Sequence, residues 1–355
     1  SKHVPIGTVI VKVACYTHSD AFEILQPQWN TLLEKSNLNI IFLTWEWQSI
    51  WWSAYRPGEL YLLTVYDENE QLVGIAPWFI ETTSDKQRTL RTIGCADVTD
   101  YLGLIIQSEL EEEVLNALVD YLSEQNELIN IVDLCNIPER ATFLPKLASL
   151  LQEYDYKVTV QQQEVCPVIE LPTTFTDYVQ SLGKKERHEL KRKMRKAEGL
   201  NDSIQWYIVN DEHDLNLEIT QFLELMRAAS PDKEVFLSNK KNLAFFNAII
   251  PQLYKQGWVQ LAFLKINEIP TAAYLNFIYQ NEVLVYNSGL NPNIVESGSP
   301  GIILLAYLIR HAIEQGYKRF DFLRGNESYK YDMGGKDTRV MNLIAYPNAT
   351  ESITN

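Results

Sequence analysis

The sequence predicts a mixed α/β (α+β) protein of two similar tandem domains, each a twisted, mainly antiparallel sheet flanked by helices. Three observations carry this. The chain has 355 residues, which suits two domains of roughly 150 residues each. Segments of alternating polarity are interleaved with segments of helical period. The order hairpin, helix, buried strand also occurs twice. ELYLLTVYDENEQLVGIAPWFIE (59–81) corresponds to WVQLAFLKINEIPTAAYLNFIYQNE (258–282), and INIVDLCNIPE (129–139) to YKRFDFLRGNES (317–328). Aligned on their aspartates, Asp133 falls on Asp321 and Glu139 on Glu327. Shared element order in two halves is the mark of an internal repeat.

Each element has its own signal. Thr8 to Tyr16 alternates as a strand, and Ser19 to Ser36 and Thr44 to Arg56 have helical period. The tryptophans of the second helix, Trp45, Trp47, Trp51 and Trp52, read as core packing. Leu60 to Tyr66 and Leu72 to Glu81 form a hairpin turning at Asp67-Glu68-Asn69. Strands follow at Thr89 to Gly94 and Tyr101 to Ile106, then a helix at Glu109 to Gln125, a buried strand at Leu128 to Leu134 and a helix at Ala141 to Tyr154. QQQEVCPVIELP (161–172) reads as the boundary, giving domains at 1–165 and 166–355. Beyond it come a capped helix from Thr174, a basic helix over 184–198 and a strand at Ser203 to Val209. A hairpin at Trp258 to Tyr279, a strand at Glu282 to Ser288, a helix at Ser299 to Gln315 and a strand at Arg319 to Leu323 complete the second copy.

Thirty-one basic against 46 acidic residues leave a net charge of -15, which disfavours a bulk electrostatic grip on nucleic acid or an anionic membrane. Cys15, Cys95, Cys135 and Cys166 lie far apart and are expected as free thiols, and the scattered histidines suggest no metal site. The apolar run Ile302 to Ile309 is too short to span a bilayer, so a cytoplasmic protein without integral membrane contact is expected.

Three segments could carry chemistry. In NSGLNPNIVESGSPGIILL (287–305), Ser299 is a favoured N-cap, Pro300 a favoured first helical residue, and Gly301 lets a ligand approach the backbone. A strand-to-helix junction of this kind, Ser297, Gly298, Ser299, Gly301 and Ile302, suits a pyrophosphate, although a plain capped helix is the alternative. The matching junction of the first copy carries Glu109, Glu111, Glu112 and Glu113, which would repel phosphate. In FDFLRGNESYKYDMGG (320–335), a buried strand ends and presents Arg324, Gly325, Glu327, Tyr329, Lys330 and Tyr331 where α/β sheets bind ligands. Finally, eight basic and two acidic residues lie between Lys184 and Lys196, leaving the rest of the chain at -21. Lys184, Arg187, Lys191 and Arg195 share one stripe of that helix, while Leu190, Met194 and Ala197 could pack inward.

The duplicated α/β copies, the SPG helix start and the string G-Y-K-R-F-D-F-L-R-G-x-E-x-Y-K-Y resemble the tandem acetyltransferase-like proteins associated with cellulose and exopolysaccharide biosynthesis. That group lies in the Gcn5-related N-acetyltransferase (GNAT) superfamily, together with the Fem-type aminoacyltransferases. The resemblance runs from about Pro27 to Tyr346 and includes L-V-G-I-A-P (72–77) and D-Y-L (100–102). It implies N- or O-acyl transfer from acyl-CoA, acetyl-CoA first, to an anionic, sugar or peptide acceptor, or else transfer from an aminoacyl-tRNA. It implies Asp321 and Glu327 as base or acceptor ligands, Tyr331 or Tyr329 as the acid, and Arg324, Lys330, Asp100 and Tyr101 at the acceptor. Lys184, Lys185, Arg187, Lys191 and Arg192 are expected at the anion-binding edge, and the first domain as the degenerate, acceptor-side copy. The superfamily's pyrophosphate signature is not intact: with Gly301 last, its first position is Glu296 and its fourth Ser299. A non-catalytic scaffold binding a glycan or a partner is therefore the competing expectation.

Overall fold

The computed structural model describes residues 9–95, 97–125, 127–199, 203–294 and 299–348. The chain divides into two compact units, one running to Glu164 and resuming at Arg339, the other spanning Val165–Thr338. The second domain expected from the sequence ran on to residue 355. In the structure, residues 339–348 pack with the first unit instead.

Unit 1 begins with β1 (Lys12–Tyr16), α1 (Ala21–Glu34), α2 (Trp45–Tyr55), β2 (Glu59–Leu60), β3 (Leu62–Tyr66), β4 (Leu72–Ala76) and β5 (Trp78–Thr82). It continues through β6 (Arg88–Thr92), β7 (Ile105–Ile106), α3 (Glu111–Glu124), β8 (Ile131–Pro138), α4 (Phe143–Glu153) and β9 (Tyr156–Glu170), whose second half lies in unit 2. The strand expected over 72–81 is broken at Pro77, which has no N–H to continue a ladder. β4 pairs with β3 and β7, whereas β5 pairs with β2 and β6. The strand expected from Tyr101 shrinks to Ile105–Ile106. Tyr101 is buried against Phe42, with ring centroids 6.1 Å apart, and serves as core.

Unit 2 contains α5 (Phe175–Ser181), α6 (Lys184–Gly199), β10 (Ile204–Ile208), α7 (Leu215–Ala229), α8 (Pro231–Ser238), α9 (Lys240–Lys255), β11 (Val259–Ile266), β12 (Ile269–Tyr279) and β13 (Glu282–Leu290). It ends with α10 (Pro300–Glu314), β14 (Arg319–Asp321), α11 (Ser328–Asp332) and the start of β15 (Lys336–Pro347). Its strand order is β10-β11-β12-β13-β14-β9, with only the β13–β14 pair parallel. Unit 1 repeats this plan. β1, β3 and β4/β5 precede β6, which runs parallel to β8, and β15 lies antiparallel beyond β8. α10 is buried nearly all round: Ile303 through Ile309 are all in the core. Each such aliphatic side chain contributes about 1.5–3 kcal/mol.

Unit 1 closes the places where unit 2 stays open. Past Leu90 and Val132 the β6–β8 pair parts, and the chain fills the gap itself. Leu102 N–H donates to Asn136 O at 2.8 Å, Asn136 Nδ2 donates to Thr99 O at 2.8 Å, and Cys95 is disulfide-bonded to Cys135. All four cysteines were expected as free thiols; Cys95 and Cys135 are instead bonded to each other, and Cys15 and Cys166 are free. At the first turn of α3, Glu111 is 5% exposed. It accepts from Thr142 Oγ1 at 2.7 Å, Asn37 Nδ2 at 3.1 Å and Lys146 Nζ at 3.1 Å.

Burial alone would raise the Glu111 carboxyl, but its three donors together hold it below the ordinary 4.5. A depressed carboxyl stabilises fully above its unfolded value and loses that contribution as pH falls through the folded one. Glu111→Gln should therefore cost about 2 kcal/mol at neutral pH. In urea denaturation, the gap from the parent should narrow steadily as pH falls below 4.5.

Candidate active site

β13 and β14 are hydrogen-bonded only where Glu282–Leu284 faces Arg319–Asp321. Tyr286 is an extra residue in the pairing of β13 with β12, and such a bulge bends its strand. β13 runs on to Leu290 while β14 stops, which leaves a notch between the two strands.

What stops β14 is a hydrogen-bonded turn. Asp321 is buried, and its Oδ1 accepts from Leu323 N–H at 2.7 Å. Leu323 takes a left-handed conformation (φ 60°), and Gly325 follows at φ 120°, where a Cβ would strike the Glu327 carboxylate. The Lys330 ammonium is only 4% exposed and spends its three donors on Arg324 O (3.0 Å), Gly325 O (3.2 Å) and Glu327 Oε2 (2.9 Å). Lys330 was expected to bind an acceptor anion. It has no donor left for one, because a buried ammonium must satisfy its hydrogen bonds locally. Asp321 likewise acts on the backbone, and Arg324 is half-buried beside it.

The residues at the notch are Glu327, Tyr329 and two that sequence reasoning missed, Lys233 and Ser288. Gly289 brings α7 close to β13, since a Cβ there would lie 2.6 Å from Met226 N. α8 follows α7 directly, started by Ser230, whose hydroxyl accepts from Lys233 N–H at 3.2 Å, and by Pro231 at the first turn. That start aims Lys233 Nζ at Ser288 O (2.6 Å) and Ser288 Oγ (3.3 Å), on the stretch of β13 that has β12 beside it but no longer β14. Burial lowers the Lys233 ammonium to about 8, partly offset by the charge of Glu327. Burial would raise Glu327, but the Lys330 hydrogen bond, its own backbone and the charges of Lys330 and Lys233 bring it below the ordinary carboxyl value. Tyr329 is pushed up to about 12 by burial and then by Glu327. S-P-D-K reads as a helix start, and only the fold gives its lysine a chemical neighbour.

Tyr329 also lines a cleft of about 290 Å3 with Ile302 at the first turn of α10 and Lys185 and Lys193 of α6. Glu186, Glu189 and Asp332 share that wall, so acidic side chains outnumber the two lysines by one. Leu190, Met194 and Ala197 are buried against the core and fix the rotation of α6. Lys191 and Arg195 consequently face a second cleft of about 370 Å3, with Arg310 and Phe175. Lys184 and Arg187 share their flank by helical spacing. Of the residues expected at the anion-binding edge (Lys184, Lys185, Arg187, Lys191 and Arg192), Lys185 lines the cleft beside Ile302, together with Lys193, which was not singled out, whereas Lys191 lines the second cleft. Arg192 pairs with Glu189 at 3.1 Å.

Ser299 precedes α10, but its hydroxyl makes no cap bond, and its carbonyl accepts from Ile302 and Ile303 N–H. A Cβ on Gly301 would meet open space. Ser297 and Gly298 lie outside the described residues. Tyr331 is 38% exposed and its hydroxyl donates to Asp337 at 2.5 Å, an interaction that raises it to about 12. Asp100 and Tyr101 belong to unit 1. Among the described residues, no group of three or more His, Cys, Asp or Glu is placed to hold a metal ion. No described helix is long and apolar enough to cross a membrane.

Residues 184–331, from the start of α6 into α11, match the family model of the acetyltransferase (GNAT) domain. The fold is GNAT-like. Among solved structures, FemX is similar at TM-score 0.63 and 13% identity, over 91% of this chain and 96% of that one. A conserved protein of unknown function from Bacteroides thetaiotaomicron is similar at TM-score 0.58 and 12% identity, over 90% and 97%. L-PGS from Bacillus licheniformis is similar at TM-score 0.53 and 11% identity, over 91% and 92%. Among curated proteins, none matches the chain in sequence.

Removing the Lys330 ammonium leaves two carbonyls of the turn without a donor. Lys330→Met should lower stability by about 2–3 kcal/mol. Lys330→Arg should not restore it, because a planar guanidinium does not fit a pocket shaped for a compact ammonium. Chemical denaturation of the two variants checks this.

Proposed function

We propose that the protein is an acyltransferase, moving an acyl group from a thioester to an amine or hydroxyl acceptor in the notch of unit 2. The observation that carries this reading is the parting of β13 and β14, which brings Lys233, Glu327 and Tyr329 together next to the start of α10. Acyl-CoA, acetyl-CoA first, is the donor we favour. Gly301 leaves room for its phosphates at the α10 terminus, and Lys185 and Lys193 stand beside that terminus. A cell-envelope or polysaccharide precursor is the acceptor class we favour.

Aminolysis of a thioester requires the attacking amine to lose a proton while the donor carbonyl is held in reach. Lys233, at about 8, offers neutral amine near physiological pH and is the base. Glu327 stays ionised and orients the Lys233 ammonium after proton transfer. Tyr329, at about 12, keeps its proton and donates a hydrogen bond to the departing sulfur.

Thiol release from a panel of acyl-CoAs is the direct assay. The rate should rise with pH and level off near 8, where Lys233 becomes neutral. Lys233→Met should lose that limb and about a hundredfold in rate. In Glu327→Gln the carboxylate no longer supports the ammonium, so the limb should move to lower pH. No thiol release from any acyl donor would favour the scaffold reading.

A second donor has one specific observation behind it. Lys191, Arg195 and Arg310 form a basic cleft away from the start of α10, more than one thioester needs and suited to an aminoacyl-tRNA. Lys185→Ala with Lys193→Ala should weaken CoA binding in a salt-dependent way. Lys184/Arg187/Lys191→Ala should spare CoA binding and weaken only tRNA. Titration calorimetry at two salt concentrations separates these outcomes.

A further inference from the structure

A large cleft lies in unit 1, and no part of the acyl-transfer reading uses it. It has a volume of about 810 Å3 and opens where the β1–α1 junction, the end of α2 and the end of α3 meet. Tyr121 and Gln125 of α3 line it, at the other end of that helix from Glu111, so it does not repeat the notch of unit 2.

Its interior is apolar with one unused polar group. Trp52, Leu60 and Ile80 are buried in its wall. Tyr61 is 6% exposed, yet its hydroxyl has no hydrogen-bond partner among the described residues. That hydroxyl lies close enough to Tyr121 and Cys15, both lining the cleft, to feel their charge, and burial first and then these neighbours raise it. A buried hydroxyl without a partner is unfavourable unless something else supplies the acceptor.

The mouth is marked by Arg56. This residue ends α2 in a left-handed conformation (φ 36°, ψ 64°), directly before Pro57. Glycine is favoured at such a position, and the following proline disfavours it further. A long cationic side chain there is held at a cost in backbone strain. Arg88, also lining the cleft, is paired with Glu59 at 3.0 Å, whereas Arg56 has no ion-pair partner among the described residues.

We infer that this cleft binds a small amphipathic anion, a ring or short chain carrying one carboxylate, phosphate or sulfonate. Its acid group lies at Arg56, and its far end offers an acceptor to the Tyr61 hydroxyl. The probe is anilinonaphthalene sulfonate, titrated into the full chain by fluorescence. The probe should bind saturably and slow the alkylation of Cys15 by iodoacetamide, mapped by mass spectrometry, with buried Cys166 as the internal control. Arg56→Gly should fold at least as stably as the parent and bind the probe about tenfold more weakly. Tyr61→Phe, with no probe present, should melt at or above the parent, because it removes an unsatisfied polar atom. Non-saturable binding, unchanged affinity in Arg56→Gly, Cys15 alkylation indifferent to the probe, or a lowered melting point in Tyr61→Phe each overturns the proposal.

Discussion

The Lys330 ammonium organises the second unit's open end. A charge this deeply buried is tolerated only when every donor is used, and here all three go to one turn. With Arg324 and Gly325 carbonyls tied to the same nitrogen, β14 stops at Asp321, and β13 beyond Leu284 keeps β12 on one side but has no β14 partner on the other. The same ion pair sets Glu327 at the edge of the gap, and α11 then brings Tyr329 to it. Truncating Lys330 would thus disturb both Glu327 and Tyr329 at the gap.

The duplication is what the sequence made most legible, because paired hairpins and a repeated buried strand leave period and polarity signals that survive divergence. β11, β12, β13, α10 and β14 fall within a few residues of where periodicity puts them. Two long strands were invisible for the same physical reason. β9 passes through QQQE with its side chains exposed, so the run looks like a linker although it is part of a strand. β15 carries Lys336, Asp337, Thr338 and Arg339 on exposed positions and shows no alternation there. The string RGNESYK was recognisable as special, but its density of charge reflects both structure and function. Lys330 and Asp321 hold the turn, and Tyr331 points to Asp337. Lys233 lay a hundred residues away in an ordinary helix start, and only tertiary contact gives it a partner.

The two copies solve one geometric problem in opposite ways. A parallel pair that parts leaves backbone groups and apolar surface uncovered. Unit 1 covers them with its own residues 97–104 and a Cys95–Cys135 link, and Glu111 at the start of α3 is tied to Thr142, Asn37 and Lys146. Unit 2 leaves its gap open, with Lys233 reaching in from one side. Divergence after duplication has kept the scaffold twice and the opening once, which freed the other end of α3 to form a cleft of different character.

The order in which the strands occur along the chain also bears on how the molecule is made. The strand beside β8 is β15, which follows the whole of Val165–Thr338, so the second unit is an insertion within the first. During synthesis, unit 2 has every one of its strands once Thr338 has emerged. Unit 1, although translated first, waits with β8 exposed along one edge until residues 339–347 arrive. An unpaired edge of that kind is a template for wrong pairing. The half that folds last is therefore the one begun first, and its growing chain needs shielding for as long as the ribosome takes to read the other half.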